Sequence, residues 1–148
     1  MLKATNLFLA LAVISISLFA TNAHASSSEK ACLAKMAYIE ARGLGSQGIK
    51  DVVDVMFNRM NHPKFPNTVC GNIAKKGQYP WYKSKFIVKE HSLYKEIRAV
   101  TAAYYDSYKL NKWRDGTRGA IFFNSDRRRP HPKAKMLFVR NKHYFYKL

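Results

Sequence analysis

Glu40 is a carboxylate set on the apolar stripe of a helical segment, and a carboxylate so placed is equipped for proton transfer. Advancing about 100° per residue from Cys32 puts Ile39, Cys32, Met36, Leu33 and Ala37 on one arc, with Glu40 between Met36 and Leu33. Lys30, Lys35, Tyr38 and Arg42 fall outside the centre of that arc. Burial without a partner disfavours the charged form and raises a carboxyl pKa, and the negative end of the helix dipole acts in the same direction. Such a group holds a proton near neutral pH, as a general acid must. The position equally suits a buried structural carboxylate paired with Arg59 or another base, and position alone leaves both readings open.

The other acids offer less. Asp51 and Asp54 fall opposite the apolar face of the segment that follows, and Glu90, Glu96, Asp106, Asp115 and Asp126 stand among polar or turn residues. Solvated roles are expected for all of them. Two cysteines and the scattered His62, His91, His131 and His143 make no metal-ligand spacing, and no H-E-x-x-H is present. No metal or other cofactor is expected.

The elements that must position Glu40 are readable from period and punctuation. Ser26-x-x-Glu29 fits a capping box, opening a helix that runs to Arg42 and stops at Gly43 and Gly45. A second helix is expected from Gly48 to about Met60, with Ile49, Val52, Val53, Met56, Phe57 and Met60 on one face and Pro63 beyond its end. Residues 61–85 read as loop, with one helical turn around 69–75, and carry Phe65, Tyr79, Trp81 and Tyr82. A third long helix spans about Ser92 to Lys109, with Leu93, Ile97, Val100, Tyr104 and Tyr108 on one face, and Asp115-Gly116 marks a turn. The last third changes to short β-branched or aromatic runs at 119–124, 136–139 and 143–146. Helices first and a small antiparallel sheet last predict an α+β domain without internal repeats.

Of the 148 residues, the first 25 read as a secretory signal: Lys3, an apolar run from Leu7 to Ala20, and Ala23-His24-Ala25 as the cleavage site. The run is shorter than the ~20 residues a membrane span prefers, so no stable span is expected after cleavage. Ser26 to Leu148 then forms one domain, with 25 basic against nine acidic residues and a net charge of +16. Such an excess attracts anionic polymers such as wall carboxylates and phosphates, lipid headgroups, or nucleic acid non-specifically. The run Asp126-Arg127-Arg128-Arg129-Pro130 reads either as a solvated turn or as a dock for such a polymer. Export places Cys32 and Cys70 where disulfides persist, and a bridge between them is expected.

Six segments in order carry a family resemblance. Tyr38-Ile-Glu40-Ala-Arg42-Gly43, Asn58-Arg59, Phe65-Pro-Asn-Thr-Val-Cys70, Gly77-Gln78-Tyr79, Gly119-Ala-Ile-Phe-Phe-Asn124 and His143-Tyr-Phe-Tyr146 span nearly all of the chain beyond the leader. Together they resemble the spore-cortex-lytic (SleB/CwlJ-type) cell-wall hydrolases. Two glutamates that the family commonly carries near its E-A-R-G segment are replaced here by Leu44 and Gln47.

The resemblance implies a lysozyme-like α+β domain acting on peptidoglycan, secreted or periplasmic, with Glu40 as the catalytic acid. It implies cleavage between N-acetylmuramic acid and N-acetylglucosamine as in lytic transglycosylases, where one carboxylate suffices. A hydrolytic muramidase would need a second carboxylate, about 5 to 5.5 Å away for retention or 6.5 to 9.5 Å for inversion, or help from the substrate's acetamido group. Gln78, Tyr79 and Trp81 fall in the loop that the resemblance brings near Glu40, where an amide and aromatic rings can bind sugars; Tyr79 and Trp81 equally suit a core cover. Asn124 suits either an acetamido or hydroxyl contact or a strand-end turn, while Asn58 and Arg59 are read as braces. A non-enzymatic cationic module binding wall or nucleic acid is the alternative, and it predicts no dependence on Glu40.

Overall fold

The computed structural model describes residues 24–148. The leader expected over 1–25 lies almost wholly outside the described residues. Helix α1 covers residues 24–41, α2 is Gly45–Met60, α3 is Val69–Ala74 and α4 is His91–Lys109, with a 3₁₀ turn at Pro80–Lys83 between the last two. Strands β1 (Phe122–Asn124), β2 (Lys135–Arg140) and β3 (His143–Lys147) form an antiparallel sheet in the order β1-β3-β2. This is the α+β arrangement that the order of helical and strand patterns predicts. No helix among the described residues is long and apolar enough to cross a membrane.

Helix α2 is the axis of the domain. Its apolar stripe of Ile49, Val52, Val53, Met56, Phe57 and Met60 is buried as the period requires, against Leu33, Met36, Tyr38, Val69, Ile73, Ile97 and Tyr105. Its reverse side is buried too: Val55 packs with Ala120 and Phe145 under the sheet. Asp51 and Asp54, expected in solvent, are therefore 1% and 0% exposed. Each is satisfied by a neighbour one turn away together with residues far along the chain. Asp51 accepts from the Arg140 guanidinium at 2.6 and 2.8 Å, and Asp54 accepts from Lys50 Nζ, from Trp113 Nε1 at 2.8 Å and from the Gly116 amide at 2.8 Å. Asp54→Asn keeps one acceptor and strands a buried donor, so it is expected to lower the unfolding free energy by about 2 kcal/mol, read from urea denaturation.

Two further expectations are corrected. Helix α1 is already helical at residue 24, so Ser26 does not cap it. Glu29 instead turns to α3, its carboxylate accepting from the amides of Val69 at 2.5 Å and Cys70 at 3.4 Å, while Thr68 Oγ1 accepts from the Gly71 amide. An acid at a helix N-terminus satisfies orphan donors and meets the positive dipole end. On α4 the fully buried line is Ile97, Thr101 and Tyr105, and Val100 is 42% exposed. Thr101 hides its polarity by donating its hydroxyl to the Ile97 carbonyl at 2.8 Å, so the buried stripe is rotated from the one that apolar residues alone suggest.

The chain turns from α1 to α2 within residues 42–44. Gly45 takes φ +68°, where a Cβ is strained, and a Cβ on Gly48 would run into Leu44 Cβ. This close reversal sets the C-terminal end of α1 beside the start of the axis helix. A disulfide joins Cys32 to Cys70 across 38 positions and ties α1 to α3. The two-residue β2–β3 turn uses Asn141 and Lys142 at φ 50° and 61°, the left-handed pair that a tight hairpin requires.

Candidate active site

Glu40 sits half-buried in the last turn of α1, where the apolar arc opens into a groove. The groove has two continuous parts. In the first, of about 240 Å³, Glu40, Arg59, Gln78 and Tyr79 of the helical half face Phe123, Asn124, Ser125 and His143 of the sheet half. The second, of about 390 Å³, shares Glu40, Ser125 and His143 and runs past Arg42 and Gly43 to the β2–β3 turn at Asn141 and Lys142. The acid thus stands at the join of a cleft between helices and sheet.

Trp81 fixes the carboxylate. Pro80 starts the 3₁₀ turn with its preset φ, and the next residue donates its indole Nε1–H to Glu40 Oε1 at 2.5 Å. Arg59 lies deeper and is bonded elsewhere: Nε donates to the Ile121 carbonyl at 2.6 Å and Nη1 to the Tyr79 hydroxyl at 2.9 Å, with the rings of Phe65, Tyr79 and Phe122 around the guanidinium. Glu40 forms no salt bridge among the described residues. Its pKa is raised above the ordinary glutamate value chiefly by desolvation, against the smaller opposing pulls of the Trp81 hydrogen bond and the Arg59 charge. The closing carbonyls of α1 add to the upward push.

This balance gives a test. Trp81→Phe removes the donor that favours the carboxylate and keeps an aromatic ring, so the Glu40 pKa rises further. The carboxyl titration of Glu40 is then expected to move to higher pH, read from its side-chain carboxyl signal in the ¹³C-labelled protein. A titration that stays in place or moves down contradicts the role assigned to the indole.

The sequence-predicted site residues separate into distinct roles. Gln78 lines the cleft, and its side-chain amide has no protein partner among the described residues. Tyr79 is 6% exposed, packed in the core with its hydroxyl on Arg59, and the same desolvation holds its phenol pKa up. Trp81 stands beside the acid and packs on the core from one side, with Lys35 over its ring. Asn124 lines the cleft, but its Nδ2 donates to the Arg128 carbonyl at 2.6 Å, bracing the turn beyond β1. Asn58 braces as expected, donating to Thr117 Oγ1 and the Ala120 carbonyl.

Ser125 and His143 belong to the groove and were not singled out by the residue pattern. The available signal for His143 was strand alternation: His143 and Phe145 share a face, and Phe145 pairs with Phe123 at the heart of the sheet.

No other carboxylate lines either part of the groove among the described residues. Glu29 binds the start of α3, Glu90 pairs with Arg42 and Tyr38, Asp106 with Lys30 and Asp126 with Arg128, while Asp115 closes its own turn through Thr117 and Gly119. Nor do three His, Cys, Asp or Glu side chains gather among the described residues as metal ligands would.

A family model described as cell wall hydrolase matches residues 43–146, most of the chain. The chain belongs to the cell wall hydrolase family. Membership makes this protein a peptidoglycan-acting hydrolase, and the matched span takes in Arg59, the 78–83 loop and the whole sheet side of the groove. No curated protein and no solved structure matches the chain. The match of this cell wall hydrolase to its family opens at Gly43, just after Glu40, so the role of the acid rests on the geometry of the groove.

Proposed function

We propose that this cell wall hydrolase cuts the glycan strand of peptidoglycan between N-acetylmuramic acid and N-acetylglucosamine as a lytic transglycosylase, with Glu40 as both acid and base. The observation that carries the reading is a single half-buried carboxylate, kept protonatable by desolvation, in a groove lined by no second one among the described residues.

The chemistry balances on that one group. Protonated Glu40 gives its proton to the glycosidic oxygen as the bond to the muramic C1 breaks. The C6 hydroxyl oxygen of the same sugar bonds to C1, and its proton goes to the Glu40 carboxylate. The ring closes as a 1,6-anhydro sugar, no water is consumed, and the acid is restored. Trp81 Nε1–H steadies the carboxylate in the middle of the cycle. Gln78, whose side-chain amide has no protein partner among the described residues, lines the groove and holds a sugar oxygen. A suspension of purified peptidoglycan is expected to clear with the native protein and not with Glu40→Gln; clearing at equal rates removes the acid from the mechanism.

Export by the 1–25 leader and attraction to anionic wall polymers complete the proposal. Arg128 is held by Asp126, whereas Arg127 and Arg129 are exposed and without an acidic partner among the described residues. Retention of the protein on whole sacculi is expected to fall steeply between low and high salt. Salt-independent retention would place the attraction in the cleft alone.

A further inference from the structure

His143 opens β3 and is 8% exposed. Its ring is held by two aromatic neighbours on the same face of the sheet, Phe123 at 5.0 Å and Phe145 at 6.2 Å between centroids. Nδ1 is sealed from solvent and meets no hydrogen-bond partner among the described residues. Nε2 is not sealed in this way and has no protein partner among the described residues, and the residue lines both parts of the groove with Glu40. The ring therefore meets the groove by its Nε2 edge.

A neutral imidazole carries one N–H and one bare nitrogen. A buried N–H without an acceptor is the rarer and costlier orphan, whereas a bare lone pair is tolerated more often. The sealed Nδ1 is thus the bare nitrogen, and the proton sits on Nε2. A second proton would need an N–H in that sealed corner. Burial accordingly pushes the His143 pKa down, with the Asp51 carboxylate pulling weakly the other way. A neutral ring also adds no second cation beside Glu40, where Arg59 already favours the carboxylate.

A fixed donor that cannot accept selects its partner. Sugar hydroxyls both give and take and are served as well by the Gln78 amide, but the carbonyl oxygen of an N-acetyl group only accepts and is the strongest neutral acceptor on such a glycan. We infer that His143 is a neutral Nε2–H donor that holds an N-acetyl carbonyl oxygen in the groove beside Glu40, a substrate-contacting residue that selects N-acetylated sugars. The inference rests on the glycan-cleaving reading above.

The tautomer is open to direct test in the native protein, labelled with ¹⁵N-histidine at pH 7. The expected spectrum is a neutral imidazole protonated at Nε2, whose signal moves on addition of tri-N-acetylchitotriose and stays in place with cellotriose. Protonation at Nδ1, an imidazolium, no response to either sugar, or an equal response to both overturns the inference. A pair of variants reads the same contact in turnover. His143→Gln carries its amide N–H near the Nε2 position and His143→Asn near the Nδ1 position. The Gln variant is expected within about threefold of native kcat/KM on peptidoglycan, and the Asn variant lower by about tenfold, mostly in KM, the scale of one neutral hydrogen bond. Equal losses in the two variants overturn it. The spectra need no turnover, so failure of the native protein to cut peptidoglycan would sink the transglycosylase reading separately.

Discussion

Glu40→Gln is expected to lose at least ~100-fold in kcat on peptidoglycan, the lower end of a general acid–base contribution, and to melt no lower than the native protein at pH 7. The two halves of this result come from one cause. Desolvation raises the folded-state pKa of Glu40 above its unfolded value. The stability linked to a raised carboxyl is fully present below the ordinary glutamate range and is lost as pH rises through the folded value. Above the folded-state value the ionised group opposes folding, and the amide relieves that while its carbonyl oxygen still accepts from Trp81 Nε1. The melting temperature of the variant relative to native should therefore rise from acid to neutral pH. A carboxylate kept for structure predicts the reverse, a variant that is less stable near neutrality and still active. Melting curves at several pH values, beside kcat, separate the two.

Replacing both Cys32 and Cys70 by Ala is expected to cost roughly 3 to 4 kcal/mol of unfolding free energy, on the chain-entropy account for the loop it opens. The bridge spans 38 positions and joins the helix that carries Glu40 to the helix that leads into the Gln78–Trp81 loop. The Glu29 carboxylate on the Val69 and Cys70 amides fixes the same junction without a covalent bond. Well below the melting temperature the variant should retain activity, because the Trp81–Glu40 contact involves neither cysteine. Urea denaturation with and without the bridge gives the free energy, and an unchanged midpoint would contradict this role.

What could be read from the chain alone follows how local each cause is. The apolar period of α2, the arrest of α1 near Gly43 and the late strands depend on neighbours within a few positions, and they were legible. Glu40 was legible for the same reason: a carboxylate interrupts a stripe that Leu33 and Met36 otherwise complete, and both of these are fully buried. Asp51 and Asp54 misled because their partners, Arg140, Trp113 and Gly116, lie 59 to 89 positions away. Only the sheet and the segment leading into it, closing over the back of α2, turn that polar side into an interior one. Glu29 misled in the same way, its donors lying 40 and 41 positions off. Trp81 could be placed near the acid through the family resemblance, but the hydrogen bond that makes it a support for the carboxylate depends on the 3₁₀ turn. His143 was hidden because strand alternation puts it on the face of Phe145 without showing that this face meets the groove; its importance comes from which nitrogen the fold seals.

The most direct test of Glu40 as a lone acid and base is mass spectrometry of the fragments released when the native protein digests purified peptidoglycan in ¹⁸O-labelled water. Transglycosylation predicts muropeptides ending in 1,6-anhydro-N-acetylmuramic acid, lighter by one water than hydrolytic products and free of ¹⁸O. Reducing ends carrying ¹⁸O would contradict it, because water would then have taken the place of the C6 hydroxyl.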